Sequence, residues 1–216
     1  MELVGTKHTW DTFITDGYGK QMKFNKNTFL FHQGEIGEGF YYLAKGEVKI
    51  SLLSNEGTER DIDYVMPGEL IGEQSFNKAP YFTTAFITMP STLYFFSIKD
   101  FNQLCSAIPD AANLFMESLT LKVRLLAEAT AILNAPAEYR LAHFLYKLFK
   151  RKNMSTIYIS QVSLARSVGT SRITVYKILN QWKDEGLIEH SKGCIHLLDI
   201  SKLEGLLDDA NHYLTR

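Results

Sequence analysis

Residues 159–190, ISQVSLARSVGTSRITVYKILNQWKDEGLIEH, contain two apolar periodicities separated by a single glycine. In the first, Leu164, Ala165 and Val168 share one helical face, and Ser160 is placed to cap the N-terminus. Gly169 can end that helix in the left-handed conformation, and Thr170 or Ser171 can cap the next one. In the second, Val175, Ile178, Leu179 and Trp182 follow i, i+3, i+4, i+7 and form the buried face. Arg172, Ile173, Tyr176, Lys177 and Asn180 therefore point outward. Two short helices around a glycine turn make a helix-turn-helix, whose second helix reaches base edges in the major groove. Beyond it, LIEH and CIHLL flank Ser191-Lys192-Gly193 and read as a two-stranded wing. The competing reading is a helix pair in some other α-helical domain.

Upstream, AEYRLAHFLYKLFKRK is amphipathic, with Leu141, Leu145 and Leu148 opposite Lys147, Lys150, Arg151 and Lys152. Asn134-Ala135-Pro136 breaks the chain before it and marks a domain boundary. Between Pro109 and that break lies one long helix without glycine or proline. Its expected seam is Ala112, Phe115, Leu119, Lys122, Leu126, Ala129 and Leu133, a 3,4 spacing that predicts a coiled-coil contact with a second copy. The same helix can also lie on its own domain through Leu121 and Leu125. Lys122 on such a seam is costly unless it snorkels to water, pairs with Glu117 or Glu128, or binds an anionic ligand.

From Met22 to Ser97 the pattern is short aromatic and β-branched runs punctuated by Gly34, Gly46, Gly57 and Pro67-Gly68. Asn55-Glu56-Gly57 is a hairpin signal. Many short strands without long intervening helices predict a small antiparallel barrel or sandwich, followed by a short helix in KDFNQLCSAI. The fold expected is therefore α+β, in three parts: residues 1–108, the long helix 109–134, and the winged helix 135–216.

Composition narrows the function classes. The 216 residues, 45% hydrophobic and 22% charged, are ordinary for a globular chain. The N-terminus MELVGTKHTWDTF lacks a basic segment followed by an apolar one, and two cysteines supply no disulfide framework, so a cytoplasmic protein is expected. Residues 1–134 carry 11 Lys and Arg against 16 Asp and Glu, whereas residues 135–216 carry 12 against 8. The basic half is the one that suits a polyanion. No nucleophile elbow, P-loop, dinucleotide fingerprint or zinc signature occurs, so no catalytic or metal-binding residue is expected.

These features together resemble the CRP/FNR family of bacterial transcription regulators nearly end to end. The family pattern G-x-S-R-x-T-V-x-R-x-L stands here as GTSRITVYKIL, and Gly34, Gly46, Gly57, Gly68 and Gly72 fall at family-like places. The resemblance implies a jelly-roll-like β-roll of the cyclic-nucleotide-binding type, a dimerisation helix, a homodimer on double-stranded DNA, and RNA polymerase as partner of an activator. It places Ser171, Arg172 and Thr174 on DNA. Lys177 replaces the usual Arg, and Ile173 stands where many members have a Glu. An isoleucine cannot accept a hydrogen bond from cytosine but packs against a thymine methyl, which predicts a palindromic, A/T-rich operator.

The resemblance also implies an effector between the β-roll and the long helix, acting allosterically. IGEQSFNKAPYFTTAF keeps the Gly72-Glu73 turn of the nucleotide-binding members, followed by Gln74 and Ser75. The Arg-Ser pair that meets the cyclic phosphate aligns on Thr83-Thr84, so cyclic AMP fits poorly. The expected effector is an aromatic or weakly anionic molecule, such as a halogenated phenol, on Tyr64, Tyr81, Phe82, Phe86 and Lys122. KAPYFTTA also resembles the corresponding segment of the halophenol-sensing, reductive-dehalogenation branch. The alternatives are an effector-independent or redox-controlled regulator, and a cyclic-nucleotide sensor with an altered phosphate site. An iron–sulfur cluster needs four thiolates, which Cys105 and Cys194 cannot supply. His8, His32, His143, His190, His196 and His212 show no paired ligand spacing, so haem is not expected either.

Overall fold

The computed structural model describes residues 8–76 and 78–208. The first seven residues of the predicted leaderless N-terminus, and His212, lie outside them. The chain divides into two compact units, Met1–Arg124 and Leu125–Arg216.

The first unit opens with α1 (Trp10–Thr15), held by a Thr9–Thr12 capping box. The strands β1 (Lys20–Phe24), β2 (Thr28–Phe31), β3 (Gly39–Leu53), β4 (Glu59–Val65), β5 (Leu70–Ile71) and β6 (Thr84–Ser97) form one antiparallel sheet. Its path is β1-β6-β3-β4, with β2 paired to β6 and β5 to β3. The expected barrel-like β unit is present, but its strands are not all short. TTAFITM and STLYFF join through Pro90 into β6, and β3 and β6 bend through irregularities in their pairing between Leu43 and Val48. The hairpin predicted at Asn55-Glu56-Gly57 joins β3 to β4, with Gly57 at φ +80°.

Two cores fill this unit. One is aromatic: Trp10, Phe13, Phe40, Phe96, Phe101 and Phe115 meet edge to face and stacked. The other, between sheet faces, gathers Phe31, Leu43, Val48, Ile71, Tyr81, Ile87 and Leu93. The helix α2 (Ile98–Ala107) is capped by Ser97 and buries Phe101 and Leu104. The long helix α3 (Asp110–Ala131) follows, one residue inside the predicted start and three short of the predicted end.

The second unit contains α4 (Ala137–Lys152), β7 (Thr156–Tyr158), α5 (Gln161–Val168), α6 (Arg172–Asp184), β8 (Ile188–Ser191), β9 (Cys194–Leu197) and α7 (Ile200–Asp208). Leu141, Leu145 and Leu148 are buried on α4 as the periodicity predicted. Ser160 caps α5, Gly169 ends it at φ +68°, and Ser171 caps α6. The buried faces are those expected: Leu164, Ala165 and Val168 on α5, and Val175, Ile178, Leu179 and Trp182 on α6. The wing is β8 and β9, turned at Gly193, but the sheet has a third strand, β7, paired to β9. Neither β7 nor α7 was predicted from the sequence.

Candidate DNA interface and effector site

The outward face of α6 is built by its cap and its apolar stripe. The Ser171 hydroxyl accepts from the Thr174 backbone N–H at 3.0 Å and lies 2.9 Å from the Thr174 hydroxyl. Both side chains stay at the helix N-terminus, where backbone N–H groups and the helix dipole favour a phosphate. Burying Val175 and Ile178 leaves Arg172, Ile173, Tyr176 and Lys177 exposed. Ile173 and Tyr176, one turn apart, are 69% and 52% exposed, an apolar pair between two cations. Asn180 differs from its expected outward position. It is half-buried, and its Oδ1 lies 3.0 Å from Nε2 of His190 on β8, so it ties the recognition helix to the wing. Burial, and then the charge of Lys183, hold His190 below the usual histidine range, and because an amide Oδ1 can only accept, the contact is made by the His190 Nε2–H.

The sensor segment is laced by its own side chains. Gly72 adopts φ +85° and opens a short 3₁₀ turn over Glu73–Ser75. A Cβ on Gly72 would sit 3.1 Å from the Tyr81 ring and 3.3 Å from Phe31, which stack on each other at 3.7 Å. That residue must be glycine for its backbone and for this close approach. Ser75 donates to the Gly39 carbonyl at 2.7 Å, and Gln74 donates to the Thr83 hydroxyl at 2.7 Å. Thr83 is buried, Thr84 accepts from the Gln33 N–H at 3.0 Å, and Phe82 is exposed. Tyr64 and Phe86 belong to a different cluster. Lys49 pairs with buried Asp61 at 3.1 Å, Tyr64 Oη lies 3.3 Å from Asp61, and Lys49 stands over the Phe86 ring.

Glu73 and Lys122 give the main correction. The sequence offered Glu117 or Glu128 as counter-charges for Lys122 on an intersubunit seam. In the structure Lys122 donates to both carboxylate oxygens of Glu73 and, at 2.9 Å, to the Leu70 carbonyl. The Glu73 side chain is 3% exposed and also accepts from Ser118 at 3.0 Å. Glu73 is therefore the counter-charge of Lys122, and Lys122 faces its own β-roll. Glu128 pairs instead with Lys147 at 3.7 Å. Phe115, also placed on the seam, is buried in the aromatic core.

The exposed apolar stripe of α3 lies one position away: Met116, Leu119, Val123 and Leu126, continued by Thr130 and, past the helix end, Leu133. This stripe keeps the 3,4 spacing but shares only Leu119, Leu126 and Leu133 with the predicted seam. Leu121, expected to pack inward, is 42% exposed. The helical period admitted both stripes, and only packing against Phe40 and Leu70 chose between them.

Cys105 packs beside the aromatic core, and burial pushes its thiol pKa up, the opposite of a reactive thiolate. Among the described residues no group of three or more His, Cys, Asp or Glu could hold a metal ion.

Comparison with known proteins fits these two units. Residues 21–107 match the cyclic nucleotide-binding domain family, and residues 139–206 match the Crp-like helix-turn-helix family. The cAMP-activated global transcriptional regulator CRP of Pasteurella multocida is 30% identical over 182 residues, 79% of this chain and 86% of that one. Among solved structures, the c-di-GMP responsive global regulator CLP of Xanthomonas campestris superposes with a TM-score of 0.74 at 20% identity, covering 88% of this chain and 97% of that one. CprK complexed with OCPA superposes with a TM-score of 0.67 at 21% identity, over 87% and 89% of the two chains. At those identities the two structures speak for the fold alone.

Proposed function

The chain belongs to the CRP/FNR family of transcription regulators, and from that premise we propose a homodimeric, effector-controlled activator that reads an A/T-rich palindrome. The family assignment carries DNA binding and a cyclic-nucleotide-type sensor domain; the operator, the effector and the sign of regulation are our reading. The dimer forms along Met116, Leu119, Val123, Leu126 and Leu133, whose exposure and heptad spacing suit a helix paired with its copy. Arg172 is the donor to a guanine edge or phosphate, Ser171 and Thr174 serve phosphates, and Lys177 acts as a point charge on the backbone. Ile173 and Tyr176 supply apolar contacts to thymine methyl groups.

The observation that carries the operator reading is the 69% exposure of Ile173 beside Arg172 on α6. Selection from randomised duplexes tests it. The expected product is a palindrome with thymine at the positions facing Ile173, and recovery of half-sites with guanine or cytosine fixed at those positions would refute the reading.

The effector reading rests on Thr83-Thr84 and on the Glu73–Lys122 pair. With no arginine in the segment, and Lys122 neutralised by a buried carboxylate, a full phosphate charge gains little there. A weakly anionic aromatic molecule, such as a halophenol, asks less of the site and suits the Phe31–Tyr81 stack. A thermal-shift panel of halophenols, aromatic carboxylates and cyclic nucleotides tests this, because a ligand of the folded state raises its stability. Stabilisation by cyclic AMP rather than by the aromatic acids would favour the second reading, a cyclic-nucleotide sensor. That reading is supported by the intact Gly72-Glu73 turn and by 30% identity to a cAMP-activated regulator.

A further inference from the structure

Arg140, on the first turn of α4, stands between the C-terminus of α5 and the connector that follows α3. Its Nε donates to the Val168 carbonyl at 2.8 Å and its Nη2 to the Gly169 carbonyl at 3.3 Å. Those are the last carbonyl of α5 and that of the turn leading into the recognition helix. Its Nη1 donates to Leu133 at 3.0 Å and also to Ala135, both in the connector between α3 and α4. The last carbonyls of a helix have no partner within it, and a cation there also meets the negative end of the dipole. Here one planar fork serves the α5 C-terminus and the connector at once, which an ammonium on a flexible stem cannot do.

We infer that Arg140 is a positioning residue that bolts the α3–α4 connector to the helix-turn-helix turn, so that the connector and the recognition helix move as one piece. The connector follows α3, and Ser171, the cap of α6, follows Gly169 by two residues. A shift of the connector by a few tenths of an ångström therefore either breaks two of the four bonds or carries the start of α6 with it. Side chains between packed elements switch between discrete arrangements rather than stretching. Arg140 makes the second outcome the favourable one, and Pro136, which stiffens the connector backbone, works in parallel with it.

This inference rests on the DNA-binding reading above, and the experiment separates the two. The wild-type chain is first used to select a duplex; selecting none would defeat the DNA-binding reading itself. Operator dissociation constants are then measured for wild type, Arg140→Lys, Pro136→Gly and the double variant. Each is checked by Trp182 fluorescence to be folded at the assay temperature. Two parallel restraints predict that the double variant loses more affinity than the product of the single losses, by about twofold or more, the lower end of coupling within one network. Losses that simply multiply, or an Arg140→Lys variant that melts earlier yet binds as tightly as wild type, would overturn it.

A measurement on the wild type alone covers the case in which Arg140→Lys does not fold. The amides of Ala135 and Thr170, bonded to Ile132 and Ala165, should exchange with a common opening equilibrium if the fork joins their segments. A difference of about tenfold or more would show independent opening and overturn the inference.

Discussion

Lys122→Ala should destabilise the first unit far more than a surface ion pair would suggest. The Glu73 carboxylate is 3% exposed, and Lys122 satisfies both of its oxygens, so the substitution strands a buried charge beside the Ser118 hydroxyl, which donates to Oε1 at 3.0 Å. Removing one member of a fully buried pair costs about 3–5 kcal/mol. Lys122 is itself 36% exposed, so water can enter the vacated space and lower the cost to roughly 2–3 kcal/mol. For a unit of about this size each kcal/mol moves the melting midpoint by roughly 4 °C, which gives a fall of about 10 °C.

The assay follows Trp10, buried in the aromatic core of that unit, in a Trp182→Phe background that silences the other tryptophan. The double variant Glu73→Gln with Lys122→Met leaves no charge stranded and should recover most of the loss. A fall below about 2 °C for Lys122→Ala, or a double variant as unstable as the single, would refute the pairing as the reason Lys122 faces inward.

Four further outcomes follow from the same geometry. Val123→Asp should dissociate the proposed dimer in sedimentation experiments while leaving the Trp10 transition nearly unchanged, because Val123 is 67% exposed; Phe115→Ala should instead lower that transition by about 3–5 kcal/mol of cavity cost. Arg172→Ala should weaken operator binding by about 1–3 kcal/mol and relax base preference, whereas Lys177→Ala should weaken all sequences alike and reduce the salt slope by about one phosphate.

The stability of the second unit should fall on acidification. Burial, reinforced by Lys147 and partly opposed by Glu128, holds His143 below its ordinary 6.5, and burial with Lys183 does the same for His190. The folded unit then binds fewer protons than the unfolded chain, so stability is present above 6.5 and drains away as pH falls from there towards the depressed values. Melting of the Trp182 transition in a Trp10→Phe background, at about pH 7.5 and 5.5, measures this, and His143→Gln should flatten the slope.

The sequence by itself determined the helix-turn-helix. Ser160, Gly169 and Ser171 act through local backbone geometry, and the apolar stripes of α5 and α6 follow a period that allows one buried face each. It also determined the β-rich first unit and the absence of arginine from residues 71–86, which are matters of residue type and spacing. Tertiary structure decided whatever depended on two near-equivalent faces or on distant partners. Phe115 and Met116 differ by one position, and the heptad spacing fits either; the aromatic core around Phe40 and Phe101 took Phe115 and left Met116 outside. Glu73 and Lys122 are 49 residues apart, Asn180 meets His190 across the wing, and Arg140 reaches carbonyls 28 and 29 residues away. Such contacts are set by how elements pack, and backbone carbonyls, which every residue carries, leave no mark in a sequence.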